Sequence, residues 1–199
     1  MKQILLIILT LILWGCASQP APEVHTYLLS GPAYEPPAPF DPDAPVLGVA
    51  PIELADLLNE SGLVMQTSDN QIVHAGQHRW AEPLQSQLES QLYRMLSRSL
   101  KDVTVLLAPR RSDATRYELR TRVYRFQGHY DGQAVIEGEW LLLDTQKGQV
   151  VMKASFNRRI PIERDGYDAL VTRLSEGWHS VMAGIARQLA ETLESRQPH

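Results

Sequence analysis

The spacing of apolar and polar residues changes period several times along the chain. An apolar run from Ile4 to Leu13, interrupted only by Thr10, follows the charged start at Lys2. It is shorter than the roughly 20 apolar residues a membrane-spanning helix needs, and it has the anatomy of a secretory signal. From Val46 the pattern becomes that of a folded body. Val46 to Ala50, closed by Pro51, predicts a buried strand, and Leu54 to Leu58 predicts a helical turn or a loop. Leu63 to Thr67 and Gln71 to His74 predict short strands around the turn-forming Ser68-Asp69-Asn70. Leu84, Leu88, Leu92, Met95, Leu96 and Leu100 recur at three to four residues, an amphipathic helix with Pro83 tolerated in its first turn.

The middle third alternates. Tyr117, Leu119, Thr121 and Val123 interleave with Glu118, Arg120 and Arg122. After Gly128 to Gly132, Ala134, Ile136, Gly138, Trp140 and Leu142 interleave with Val135, Glu137 and Glu139. Beyond the turn at Asp144 to Gly148, Val150, Met152, Ala154 and Phe156 interleave with Lys153, Ser155 and Asn157. Period two with one apolar face predicts three strands, and their short connections predict a meander. A final helical stripe runs from Tyr167 through Leu170, Leu174, Trp178, Met182, Ile185 and Leu189 to Leu193, with Asp165 as its expected N-cap. Gly177 and Gly184 interrupt it, each at a cost of about 1 kcal/mol against alanine. Their expected use is close approach to the sheet or to a neighbouring chain. The fold class predicted is a single α+β domain: an antiparallel sheet with two amphipathic helices packed on one face.

Ahead of that body, eight of the thirteen prolines lie between Pro20 and Pro45. Such a segment favours extended polyproline II and makes a semi-rigid spacer, with Val24 to Leu29 as a short strand that could stitch it to the domain edge. The expected organisation is a signal over 1–15, a tether over 16–45, the domain over 46–195 and a tail over 196–199.

Composition changes this picture at one residue. A hydrophobic share of 44%, a charged share of 21% and a net charge of -4 exclude wholesale disorder, collagen-like repeats and a polytopic membrane protein. The mild acidity gives no footprint for nucleic acid. The lone cysteine, Cys16, excludes an intramolecular disulfide and any Cys-built metal site. Leu13-Trp14-Gly15-Cys16 resembles a bacterial lipobox, in which lipid is attached to the cysteine and the signal is cut before it. Acylation would also consume a thiol that is a liability in an oxidising compartment. Ala17, in place of Asp, directs such lipoproteins to the outer membrane under their sorting rule. Loss of Lys2 with the signal leaves eighteen basic against twenty-three acidic residues, a mature charge of -5.

Candidate chemistry is sparse. Ser68-Asp69-Asn70 matches one element of the serine β-lactamase signature, but Ser-x-x-Lys and Lys-Thr-Gly occur nowhere in the chain. A Gly-x-Ser-x-Gly elbow, a His-Glu-x-x-His helix and a phosphate-cradling glycine loop are also missing from the sequence. His74 and His78 have the spacing of two ligands on one helix face, but Gly76 and the strand-like Gln71-Ile72-Val73 argue against a helix there, and the next carboxylate is Glu82. His25, His129, His179 and His199 are scattered. No catalytic, cofactor or metal residue is therefore expected. From Arg110 to Arg164 eleven basic residues face seven acidic ones. Arg120 and Arg122 pairing with Glu137 and Glu139 would make this a solvated sheet face; the alternative is a basic surface that meets anionic lipid or an acidic partner.

The ordered motifs resemble a known family. Tyr27 to Leu29 (Tyr-x-Leu), Val46-Leu47-Gly48-Val49-Ala50-Pro51-Ile52, Thr67 to Asn70 and His78-Arg79-Trp80-Ala81-Glu82-Pro83-Leu84 follow one another as in the PqiC or YmbA family, the ABC-type transport auxiliary lipoproteins. One departure is the loop Leu54 to Ser61, where Glu53-Leu54-Ala55-Asp56-Leu57-Leu58 replaces the family's Pro-x-Tyr-Leu. The resemblance implies a non-enzymatic, outer-membrane lipoprotein facing the periplasm and docking the far end of an MCE-domain tunnel anchored in the inner membrane. It carries a role only for Cys16, with the His78 to Leu84 motif read as capping and orienting the first helix through Trp80 and Pro83. The two glycines of the last helix leave room for a homo-oligomeric ring. The alternatives are a periplasmic hydrolase of cell-wall or lipid esters using Ser68 or another serine with a histidine, and an envelope-assembly scaffold.

Overall fold

The computed structural model describes residues 22–31, 41, 43–107 and 115–195. Cys16, the signal over 1–15, much of the proline-rich segment, Arg110, Arg111 and the tail over 196–199 lie outside the described residues.

β7 (Thr115–His129) is the spine of the fold. Its alternation works as the sequence predicts: Tyr117, Leu119, Thr121 and Val123 are buried, while Arg120, Arg122 and Tyr124 face solvent. On one edge it pairs antiparallel with β8 (Gln133–Asp144), which pairs antiparallel with β9 (Gln149–Pro161). The meander is present, with one correction. A register shift opposite Leu142 and Leu143 leaves Val151 as an extra residue on β9. Val150 is thereby turned outward to 57% exposure, and Val151 packs against the core in its place.

The other edge of β7 overturns the antiparallel expectation. β2 (Val46–Val49), β3 (Glu53–Leu54) and β4 (Gly62–Ser68) lie end to end along it, all parallel to it. β6 (Thr104–Leu107) lies parallel outside β2, β5 (Gln71–Trp80) antiparallel outside β4, and β1 (His25–Tyr27) parallel outside β5. The nine-stranded sheet is therefore mixed. Alternation fixes which face a residue presents; it carries no information on the direction of the neighbouring strand. Direction is set here by the long connection through α1 (Leu84–Ser99), which returns β6 in the same sense as β2.

α2 (Tyr167–Glu194) crosses β8 and β9 and touches α1. Fully buried Trp178 meets Phe156 edge-on at 6.2 Å. A Cβ at Gly177 would stand 2.5 Å from Ile136 Cδ1 and 2.7 Å from Ile160 Cδ1, so this glycine brings the helix close to the sheet. A Cβ at Gly184 would meet nothing within 4 Å. The N-cap of α2 is Gly166 rather than Asp165; its φ of 106° is a conformation side chains rarely adopt. Among the described residues no helix is long and apolar enough to cross a membrane.

Ion pairs cover the outer face of the meander, with partners that differ from those expected. Arg122 lies opposite Glu139 as expected, but Arg120 lies opposite Leu141, and the register shift between Val123 and Arg125 puts Arg125 beside Glu137 at 3.5 Å. Arg122 reaches Glu53 at 3.4 Å, Glu139 takes Lys153 at 2.9 Å, and Arg120 contacts Glu118. Lys153, then the Tyr124 hydroxyl, hold the Glu139 carboxyl below its ordinary range.

Candidate functional site: the His78 to Leu84 segment and its cleft

The segment joins the end of β5 to the start of α1, and each residue has a local task. Trp80 is 6% exposed, its ring 6.1 Å from Phe126. The Trp80 N–H donates to the Ser61 carbonyl at 2.8 Å and the Ala81 N–H to the Tyr27 carbonyl at 2.8 Å, so this short stretch ties β4 and β1 to β5. Pro83 is the N-cap residue of α1, at φ -49° and ψ 130°, where its missing N–H costs nothing. Pro83, expected in the first turn, stands just before it, and the helix starts at Leu84.

α1 then uses polar side chains to hold irregular backbone. Gln87 is buried; its Nε2 donates to the Glu82 carbonyl at 2.9 Å, and its Oε1 accepts from the Leu29 N–H at 2.8 Å. Gln91 Nε2 donates to the Leu29 carbonyl at 3.1 Å, and Glu89 Oε1 accepts from the Ile52 N–H at 2.8 Å. The Ser30 N–H donates to Ser175 Oγ of α2 at 3.0 Å. These buried and half-buried side-chain donors and acceptors fix segments that no ladder holds. Their signal in the sequence was limited to glutamines on the less apolar flank of a leucine stripe.

His74 and His78 are not brought together as a metal pair. His74 Nε2 lies 2.8 Å from the Leu57 carbonyl and its Nδ1 3.6 Å from Glu60. His78 Nδ1 shares a 2.9 Å hydrogen bond with the Tyr27 hydroxyl, and its ring stacks on Tyr167 at 4.0 Å and on His25 at 5.1 Å. This stack joins β1, β5 and α2. Burial, then the nearby Asp168 and Tyr167, push the Tyr27 hydroxyl above its ordinary pKa. Among the described residues no group of three or more His, Cys, Asp or Glu is placed to hold a metal ion.

Ser68 ends β4 in register with Gln71, so Asp69-Asn70 is a two-residue hairpin turn, as the turn chemistry predicts. Asp69 accepts a hydrogen bond from Tyr130, and His129 Nδ1 lies 2.6 Å from Asp131. Among the described residues no hydrogen bond joins a histidine to Ser68.

A cleft of about 400 Å³ opens beside the segment. Its floor is Trp80, Leu84, Leu54 and Leu58, and Glu60, Glu82 and Gln85 stand at its margins. One wall is Trp80 to Gln85, and the other is formed by Leu54 and by Leu58 to Ser61. An apolar floor with exposed carboxylates suits the binding of an apolar side chain flanked by basic groups.

Comparison with known proteins agrees with this segment-by-segment resemblance. The model of a family described as the ABC-type transport auxiliary lipoprotein component matches residues 27–186. Intermembrane transport lipoprotein PqiC of Escherichia coli (strain K12) is 35% identical over 144 residues, 72% of this chain and 74% of that protein. A crystal structure of an uncharacterised protein is 36% identical, with a TM-score of 0.70 over 84% of this chain and 99% of that one. A Xanthomonas campestris protein, 20% identical, shares the fold with a TM-score of 0.72 over 86% of this chain and 98% of its own. With its folded body matched almost end to end, the chain belongs to the ABC-type transport auxiliary lipoprotein family.

Proposed function

We propose that this chain is an outer-membrane-anchored, periplasm-facing lipoprotein of an MCE-type intermembrane lipid transport system. Acylated at Cys16 after removal of 1–15, it docks the far end of a periplasm-spanning tunnel and supports membrane integrity. It acts by binding and positioning, with no catalytic step. The observation that carries the reading is the family match over 27–186, joined to a relative whose name is intermembrane transport lipoprotein. The cleft at the β5–α1 junction is the surface we read as receiving the partner, because it offers an apolar floor beside exposed Glu60 and Glu82. Self-association into a ring matched to a tubular partner belongs to the same reading, with the open side of Gly184 as the approach.

In-cell crosslinking of the anchored protein, followed by pull-down, tests it. The expected product is an MCE-domain protein, lost in Cys16→Ser, which also loses radioactive fatty-acid label. Recovery of cell-wall or outer-membrane assembly proteins alone would replace this reading with the scaffold.

A further inference from the structure

Three features converge on one end of the sheet. β4 runs parallel to β7 with Gln66 opposite His129, so the Asp69-Asn70 turn lies beside the turn at Tyr130 to Gly132. The Tyr130 hydroxyl donates to Asp69 across the two. β9 ends at this same end, Pro161 opposite Gln133, and α2 starts six residues beyond it, at Tyr167. β1 is parallel to β5, so the chain preceding His25 heads towards the start of β5, the Asp69-Asn70 turn.

Length decides the rest. Six residues, Cys16 to Ala21, separate the acylation site from Pro22, a reach of at most roughly 20 Å. The body is longer: the 28 residues of α2 alone span roughly 42 Å. The proline-rich segment is thus not a long spacer, because β1 ties the chain to the sheet early in it. Exposed apolar side chains also gather at this end: Ile72, Val73 and Tyr130, with Val24 on the approach. Three carboxylates there are engaged: Asp69 by Tyr130, Asp131 by Arg159 at 2.8 Å, and Glu163 by Arg173 at 2.9 Å. Engaged carboxylates lower the cost of meeting a lipid surface.

We propose that the end of the sheet formed by the Asp69-Asn70 and Tyr130 to Gly132 turns rests on the bilayer that carries the Cys16 anchor, with Ile72, Val73 and Tyr130 at the lipid interface. The opposite end, with the 145–148 turn and exposed Val150, stands away from the membrane. This rests on the anchoring proposed above. A tyrosine suits the interfacial position because its ring is apolar and its hydroxyl stays wet.

Tryptophan quenching tests the orientation in the full acylated protein. Trp80, Trp140 and Trp178 are 6%, 2% and 0% exposed, so they are shielded from the quencher and the loss of emission relative to the parent reports the added surface tryptophan. Ile72→Trp, Tyr130→Trp and Val150→Trp are each placed on phosphatidylethanolamine–phosphatidylglycerol vesicles whose acyl chains are brominated near the glycerol. The expected result is several-fold deeper quenching for Ile72→Trp and Tyr130→Trp than for Val150→Trp. Equal quenching at Val150, or none at either tip position while the protein floats with the vesicles, overturns the orientation. Failure to float overturns the anchoring itself.

Discussion

From Tyr117 to His129, one edge of β7 meets a single partner, β8; on the other edge the neighbour changes from β2 to β3 to β4. The first edge is a continuous ladder made by residues close in sequence. The second is a set of short parallel contacts, with Glu89 of α1 holding Ile52 between β2 and β3, and farther out Gln87 and Gln91 of α1 and Ser175 of α2 hold the chain just beyond β1. A ladder derives its strength from repeated backbone pairing, whereas the N-terminal segments depend on a few side-chain hydrogen bonds. Lesions in the two regions should therefore differ in kind.

The largest effect is expected in the meander. A Cβ at Gly138 would collide with the Arg122 carbonyl oxygen and the Phe156 ring, and the backbone oxygen has nowhere to go. Gly138→Ala should cost about 3 kcal/mol or more and lower stability as one cooperative transition. Chemical denaturation checks this, and a cost below about 1 kcal/mol would show that the β7–β8 ladder tolerates local opening.

Gln87→Leu sharpens the contrast. It leaves the Leu29 N–H and the Glu82 carbonyl without their partner, for about 2 kcal/mol. Hydrogen exchange should show the amides around β1 opening first while those of β8 keep their protection. Uniform loss of protection would mean that the two regions unfold as one unit.

How much of this was legible follows from what alternation encodes. The faces of β7 and β8, the stripe of α2 and the Asp69-Asn70 turn could all be read because each depends on neighbours a few residues away. β6, four residues shortly after a helix, was too short to announce itself, and it exists because β2 offers it an edge. The Val150–Val151 exchange was hidden because a bulge slips the phase without changing composition. Gly166 was passed over for Asp165 because a cap is ordinarily a side chain, whereas here the backbone turn alone sets the helix start. For the candidate site, the motif was visible but its cleft was not, since five of its eleven lining residues come from the Leu54 to Ser61 loop, some twenty residues away in sequence.

The smallest effect expected is at the 145–148 turn. Asp144 is buried, which raises its pKa, but the Lys147 N–H, the Arg116 guanidinium and the Gln146 N–H outweigh burial and hold it below the ordinary value. Its carboxylate accepts from Gln146 at 3.1 Å and Lys147 at 3.0 Å. A depressed folded pKa means the stabilisation is fully present above the unfolded value of about 4 and is lost as pH falls through the folded one. Asp144→Asn should cost about 1 kcal/mol at neutral pH and converge with the parent in acid. Melting temperature against pH checks this; parallel curves would mean the turn is held by Arg116 packing and not by charge.

The pairing of β1 with β5 also has a mechanical consequence. Under the proposed anchoring, a pull on the lipid from a moving membrane would run along the axis of β1, in the plane of its parallel partner. Load in that direction shears the hydrogen bonds of His25–Tyr27 and the Ala81–Tyr27 link together, where a perpendicular pull would peel them one at a time. Gln87 and Gln91, gripping Leu29 immediately beyond, share the load before it reaches the rest of the body. A three-residue strand can thus serve as the strain relief between a greasy anchor and a folded machine part.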